Sequence, residues 1–415
     1  MFLHAVEAVD PSLTLPRYLP ESPTGKTIVV GAGKSSAVMA QAFERAWIGA
    51  GHKIDQGLVV TRTGYGVPCD QIEIVEARHP VPDAAGAAAA ARIRDLLLPL
   101  SAQDLVIALI SGGGSALLSL PPDPISAADK QRLNQVLLRS GASIHEMNCI
   151  RKHVSQVKGG RLALAAHPAP VLSYILSDIP GDDPALVASG PTLADRTTRE
   201  DALGLIARYG MEMPDSVMAW MRSPASAAPH PEDPSFARDR HVVLAAAQIA
   251  LEAAADKARA LGLSVHILSD AMEGEAKDLG ATHAALARQI KTRGQPFQAP
   301  CLLLSGGECT VTLPPDGAGR GGPNAEFLLG FALAAKGLEG VTAIACDTDG
   351  TDGTEDNAGA MADGQTVARL YAAGQDPYAL LAAHVSYGAF QALGDLVITG
   401  PTVTNVNDFR AVLIT

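Results

Sequence analysis

The chain has 415 residues, 47% hydrophobic and 18% charged, with 40 glycines and 28 prolines. That describes a folded, turn-rich protein with more than one core and excludes a disordered chain. A formal net charge of -12 excludes a broad nucleic-acid or anionic-membrane surface, while a local Lys and Arg cluster can still hold an anionic small molecule.

In chain order, MFLHAVEAVDPSL reads as a helix with an acidic face, not as a secretory leader. TIVV (27–30) is a short β-rich run followed by GAGKSS and the helical stretch AVMAQAFERAW. GLVVTR (57–62) and residues 72–76 repeat the strand signal, and 83–98 reads as a helix with Pro82 near its start and Pro99 at its end. DLVIALI (104–110) is a continuous apolar run suited to burial on both faces of a parallel sheet. It enters SGGGSALL, another strand, turn and helix, and such alternation predicts an α/β/α layered domain.

Residues 125–164 read as one long helix with a polar second half, LRSGASIHEMNCIRKHVSQVKGGRLA. A strand at 170–176 then leads into SDIPGDDPALVASGPT. The Pro-rich stretch 222–240 is the best linker candidate. Beyond it the alternation restarts with SVHILS, CLLLSGGECTVTL and VTAIACD, and strands are expected in LVITGPTVTNVNDFRAVLI at the end of the chain. No apolar run is long enough to span a bilayer. The five cysteines (69, 149, 301, 309 and 346) are odd in number and lack metal spacing, so reduced thiols in a cytoplasmic protein are expected.

Three glycine turns could hold an anion. GAGKSS is neither a Walker A loop, whose first glycine would fall on Ile28, nor a Rossmann fingerprint, whose third glycine would fall on Ser36. It still offers N–H groups and the Lys34 charge; the alternative is a plain βα turn with a solvated lysine. In LISGGGSALLSLP three consecutive glycines exceed what an unliganded turn needs, since each costs entropy, and Ser111 and Ser115 add hydroxyls. PPDGAGRGGPNAEFLLG carries Gly317, Gly319, Gly321, Gly322 and Arg320 before a helix, either a phosphate cradle or a hairpin tip. The loop 177–192 brings Asp178, Asp182 and Asp183 to a strand end, as metal ligands, a proton acceptor or a surface turn.

CDTDGTDGTEDN (346–357) crowds five carboxylates into one loop. An EF-hand is excluded: counted from Asp347, position six is Asp352 and position twelve is Ala358. Following a strand directly, Asp349 and Asp352 fit a magnesium–nucleotide or substrate contact better than a solvated acidic turn.

Taken as an ordered series, GAGKSSAVMA, RHPVPD, LISGGGSALL, the 138–163 stretch, SDIPGDDPALVASGPT, LSGGECTVT, DTDGTDG and TGPTVTNVND resemble the glycerate 2-kinases of the MOFRL type, often labelled hydroxypyruvate reductases. The resemblance covers nearly the whole chain. It implies an N-terminal Rossmann-like α/β domain, drawn here as 1–235, and a smaller C-terminal α/β MOFRL domain, 236–415, with the active site in the interdomain cleft. It implies ATP and Mg²⁺, and phosphoryl transfer to the 2-hydroxyl of D-glycerate. The conserved lysine of that family falls on Lys34 and its SGGGS loop on Ser111, Gly112, Gly113, Gly114 and Ser115.

On this basis Gly31 and Gly33, the 111–115 loop, Gly321, Gly322, Asn324 and Glu326 are the expected ATP contacts. Arg151, Lys152, Lys158 and Asp352 are the expected substrate contacts, and Asp349 and Asp178 the metal ligands. Lys34, Asp178, Asp182 and Arg320 are the catalytic candidates. One departure stands out: GGRNxE of the family reads GGPNAE here, so Pro323 replaces an arginine and Arg320 is the substitute cation. An NAD(P)H-dependent hydroxypyruvate reductase is the second reading and an anion-binding sensor the third. The expected partner is a small molecule, with neither nucleic acid nor membrane, and a homodimer is left open.

Overall fold

A computed structural model of the chain describes residues 1–179, 181–314, 319–402 and 404–415. The chain divides into two compact units. One comprises Pro11–Ser177 and Asp183–Leu244; the other comprises Met1–Asp10, Asp178–Asp182 and Ala245–Thr415.

In the first unit six strands are Thr27–Ala32 (β1), Gln56–Arg62 (β2), Glu73–Ala77 (β3), Leu105–Ser111 (β4), Val171–Leu176 (β5) and Arg240–Ala245 (β6). They form one sheet in the order β3-β2-β1-β4-β5-β6, and the pairs from β3 through β5 are parallel. Every residue of β1, β4 and β5 is buried, which explains their unbroken apolar sequences: both faces are covered. This is the doubly wound order, in which β1 and β4 flank the topological switch point, and it agrees with the expected Rossmann-like layered fold.

The helix expected over 125–164 is three helices, Ala127–Arg139, Ile144–His153 and Arg161–Ala166. Gly141 at φ 73° and Gly159 and Gly160 at φ 61° and 81° take conformations a right-handed helix does not contain. Ser143 then restarts the chain by a reciprocal capping box with Glu146. The proline-rich 222–240 segment is hydrogen-bonded into this unit: Arg161 donates to Ser226 O and Ala227 O, both at 2.9 Å.

The second unit holds Ser264–Ser269 (β7), Gly274–Glu275 (β8), Cys301–Gly307 (β9), Cys309–Thr310 (β10), Val341–Asp347 (β11), Gly359–Asp363 (β12), Leu396–Val397 (β13) and Asp408–Ile414 (β14). Strands β8 and β10 pair with each other, and the rest form a sheet ordered β13-β12-β11-β14-β9-β7. Here β7 and β9 are parallel while the other pairs are antiparallel. The alternation of β14 sorts its side chains by face. Val412 and Ile414 join the core of Ala284, Phe327, Phe331 and Ala343 supplied by helices Ala276–Arg293 and Pro323–Ala334 and by β11. Phe409, on the opposite face, meets Phe2 of the N-terminal helix with ring centroids 5.7 Å apart.

Candidate active site

At the switch point two glycine turns interlock. Gly33 has φ 146° and no room for a Cβ beside the Ser111 side chain. Lys34 N donates to Gly112 O at 2.8 Å, Ser35 N donates to Ser111 Oγ at 3.1 Å, and the Ser36 and Ser111 hydroxyls are 3.1 Å apart. Ser111 is therefore fully buried and occupied in joining the turns. Gly31 lies inside β1, where a Cβ would strike the Leu109 backbone of β4; its need for glycine is strand packing. Lys34 is half-buried, and its side chain and that of His79 both flank Gly113. Burial, with the charges of Lys34 and Arg62, pushes the His79 imidazole below its ordinary pKa. Gly113 and Gly114 lie in this same turn.

The next residue, Ser115, connects the turn to the polar helix Ile144–His153. Lys158 Nζ donates to Ser115 O at 2.5 Å and to Ser115 Oγ at 3.0 Å. Ser115 Oγ is 2.8 Å from Ser189 Oγ, and Ser189 Oγ donates to Asn148 Oδ1 at 3.3 Å. Arg151 Nη1 reaches the same Asn148 oxygen at 3.3 Å. Arg151 and Lys158 thus come together around Asn148, Ser115 and Ser189. Lys152 is engaged elsewhere: its ammonium pairs with Asp195 and donates to Thr197 O at 2.7 Å.

In the mixed-sheet unit the acidic loop follows β11. Asp349 Oδ1 accepts from Thr351 N at 2.8 Å, and Asp349 N donates to Asp347 Oδ1 at 2.9 Å. Burial and the neighbouring Asp349 and Asp408 carboxylates push the Asp347 carboxyl well above its ordinary range. Asp178 lies close by through Asn407, which donates from Nδ2 to Asp178 O at 2.7 Å while its own carbonyl accepts from Thr348 Oγ1 at 2.7 Å. Asp182 holds a left-handed backbone at φ 49°. Among the described residues no group of three or more His, Cys, Asp or Glu could hold a metal by itself. Mg²⁺ needs fewer: one or two carboxylates plus phosphate oxygens suffice. Carboxylate oxygens such as those of Asp349 and Asp178 are the hard donors that would hold such an ion.

Asp352 is fully buried and caps the helix Pro323–Ala334, accepting from Asn324 N at 2.9 Å and Ala325 N at 2.8 Å. Burial pushes its carboxyl up to about 7, although the two amides pull the other way. Gly322 N-caps that helix with no room for a Cβ beside Asp352. Gly321, at φ 156°, packs on Ser386. Asn324 Nδ2 donates to Asp408 Oδ1 at 2.6 Å, and Asp408 pairs with Arg410. Glu326 Oε1 meets His384 Nδ1 at 2.9 Å, and burial raises its pKa. Arg320 donates to Glu355 Oε2 at 2.9 Å and lies 4.2 Å from the Tyr387 ring centroid. Gly317 lies outside the described residues.

Sequence reasoning gave no role to Asn148, Ser189, Asn407 or Asp408, although each stands in a phrase it singled out. Their partners are distant in the chain, with no local periodicity to mark them.

Two family models match the chain: a domain of unknown function, DUF4147, over residues 1–222, and the MOFRL family over 301–408. A D-glycerate 2-kinase from Thermotoga maritima is 39% identical over 99% of this chain and 96% of its own length. A putative hydroxypyruvate reductase from Agrobacterium vitis is 51% identical over 100% of this chain and 93% of its own. The crystal structure of the Thermotoga maritima glycerate kinase superposes with a TM-score of 0.90 at 38% identity, covering 100% of this chain and 97% of that one. The fold, the two matched models and full-length identity of this order place the chain in the MOFRL-type glycerate 2-kinase family, to which it belongs.

Proposed function

We propose that this chain transfers the γ-phosphoryl group of ATP to the 2-hydroxyl of D-glycerate, giving 2-phosphoglycerate and ADP. The observation that carries the reading is the interlocked pair of glycine turns at the β1–β4 switch point, with Lys34 beside them. In doubly wound sheets ligands bind outside the carboxyl ends of the strands at this point, and phosphoryl transfer is mostly positioning and charge neutralisation. Gly33, Gly112, Gly113 and Gly114 are the proposed phosphate-side backbone, and Lys34 the cation over the transferred group. Gly31 and Ser111 shape those turns from within. Gly321, Gly322, Asn324 and Glu326 form the proposed second nucleotide contact, with Arg320 as its charge.

Arg151 and Lys158 are the proposed partners of the glycerate carboxylate, with Lys152 and Asp352 holding the surrounding elements. Asp349 and Asp178 would hold Mg²⁺, which would supply positive charge to offset that of the phosphates. Asp178 and Asp182 are the candidates to accept the substrate hydroxyl proton.

The Agrobacterium vitis relatives named putative hydroxypyruvate reductase and the dinucleotide-type strand order favour a second reading as a reductase. Against it stands Ser36, buried where the dinucleotide fingerprint needs a glycine and hydrogen-bonded to Ser111. Strand order alone does not choose between them. A cytoplasmic location is supported by five free cysteines, and among the described residues no helix is long and apolar enough to cross a membrane. A homodimer is open to measurement by sedimentation. ADP release that requires D-glycerate supports the kinase reading, and ATP-independent NADH oxidation by hydroxypyruvate overturns it.

A further inference from the structure

The carboxyl edge of the first sheet gathers three basic side chains. Strands β3, β2, β1 and β4 are consecutive parallel neighbours, so their carboxyl ends stand side by side. β2 ends on Arg62, and His79, Lys34 and Gly113 come two residues after the ends of β3, β1 and β4. Gly113, at φ 79°, is where two of these loops meet. A Cβ there would lie 3.1 Å from His79 Nε2 and 3.2 Å from Lys34 Cγ, so both side chains rest on this glycine. Thr61 Oγ1, next to Arg62, donates to Lys34 O at 3.2 Å and ties the end of β2 to the same turn.

Lys34, Arg62 and His79 are half-buried. Among the described residues none of the three side chains has an ion pair or a hydrogen bond, and Arg62 lies 5.1 Å from the centroid of the Tyr65 ring. The carboxylates near them in sequence are engaged elsewhere. Glu76 accepts from Gly66 N at 3.0 Å, and Asp83 accepts from Gly86 N at 2.9 Å and Arg78 N at 3.1 Å. Burial, with the charges of Lys34 and Arg62, holds the His79 imidazole below its ordinary pKa. Like charges gathered without a carboxylate repel unless an anion joins them. A chain of phosphates, with its charge spread along its length, matches basic groups drawn from adjacent strands better than one carboxylate does.

We propose that Arg62 and His79 join Lys34 in binding the polyphosphate chain of a nucleotide, with His79 taking up a proton from solvent as the anion binds. Phosphate charge beside the imidazole offsets the repulsion from Lys34 and Arg62 and favours the imidazolium. Both ring nitrogens are then donors, so His79 adds a hydrogen bond as well as a charge. By linkage, affinity for the anion falls as pH rises. The inference rests on the kinase reading only in naming ATP as the physiological occupant.

The test is titration calorimetry of the full chain with ATP and Mg²⁺, without D-glycerate, at about pH 7 in buffers of different ionisation enthalpy. Wild-type protein is expected to take up about half a proton or more per site beyond His79→Gln; the subtraction removes any proton the nucleotide itself exchanges. Inorganic tripolyphosphate should give the same difference and adenosine none. Between about pH 6 and 8, wild-type affinity for tripolyphosphate should fall about threefold or more relative to that of His79→Gln. Arg62→Gln should weaken ATP binding about tenfold or more, with the D-glycerate KM within about threefold, and Arg62→Lys should recover most of the loss. No binding of either polyphosphate, equal proton uptake by wild type and His79→Gln, or Arg62→Gln protein that binds ATP as tightly as wild type would overturn the proposal. Wild-type protein that binds ATP with the expected proton uptake yet releases no ADP with D-glycerate would end the kinase reading and leave the phosphate site standing.

Discussion

Pro323 is the residue that most needs an explanation. It occupies the first position of the helix Pro323–Ala334, where a missing N–H costs nothing and the fixed φ suits helix entry. The position therefore serves structure, and Arg320 is the proposed source of the charge that the family resemblance implies for this loop. Arg320 is exposed but oriented by Glu355 and Tyr387, whereas Arg238 is bonded to the Ala102 carbonyl at 3.2 Å in the other unit. Arg320→Ala is expected to lower kcat/KM far more than Arg238→Ala; equal, mild losses measured side by side would remove Arg320 from the mechanism. Lys34→Ala should lower kcat by about 100-fold or more, the scale at which losing one transition-state charge is felt, with the fold intact by circular dichroism.

At the scale of elements, the acidic loop has a structural duty as well as a proposed catalytic one. Asp352 satisfies two of the orphan amides at the start of Pro323–Ala334, so Asp352→Ala should cost about 1–3 kcal/mol in urea unfolding. The strands were legible in sequence because burial on both faces demands uninterrupted apolar runs, as in β4. The direction of β9, β11 and β14 was not, since a short apolar run fits a parallel or an antiparallel neighbour equally well. Residues 125–164 show the limit of periodicity: apolar spacing persists across Gly141, but the left-handed turn there is decided by backbone freedom and the Ser143 cap. At the site, Lys34 and the glycine turns were visible as local motifs. Asn148, Ser189 and Asp408 were not, because what defines each is a partner dozens of residues away.

Across the whole molecule, stability should carry the signature of the buried lysines. Burial pushes the Lys130 ammonium down to about 7, far below its ordinary value near 10.4 in an unfolded chain. Between those values the unfolded chain binds a proton that the folded protein does not, so stability rises with pH across this window. Lys130→Met should flatten that rise in urea midpoints measured from pH 7 to 10; an unchanged slope would mean Lys130 stays charged in the fold. We further propose 235/236 as the domain boundary along the sequence, to be checked by limited proteolysis and mass spectrometry.

The central claim is that two locked glycine turns and Lys34 serve phosphoryl transfer rather than hydride transfer. Phosphorus NMR of the full-length protein with D-glycerate, ATP and Mg²⁺ tests it most directly. The account predicts the resonance of 2-phosphoglycerate growing with that of ADP. A spectrum showing only ATP, from protein that oxidises NADH with hydroxypyruvate, would contradict it.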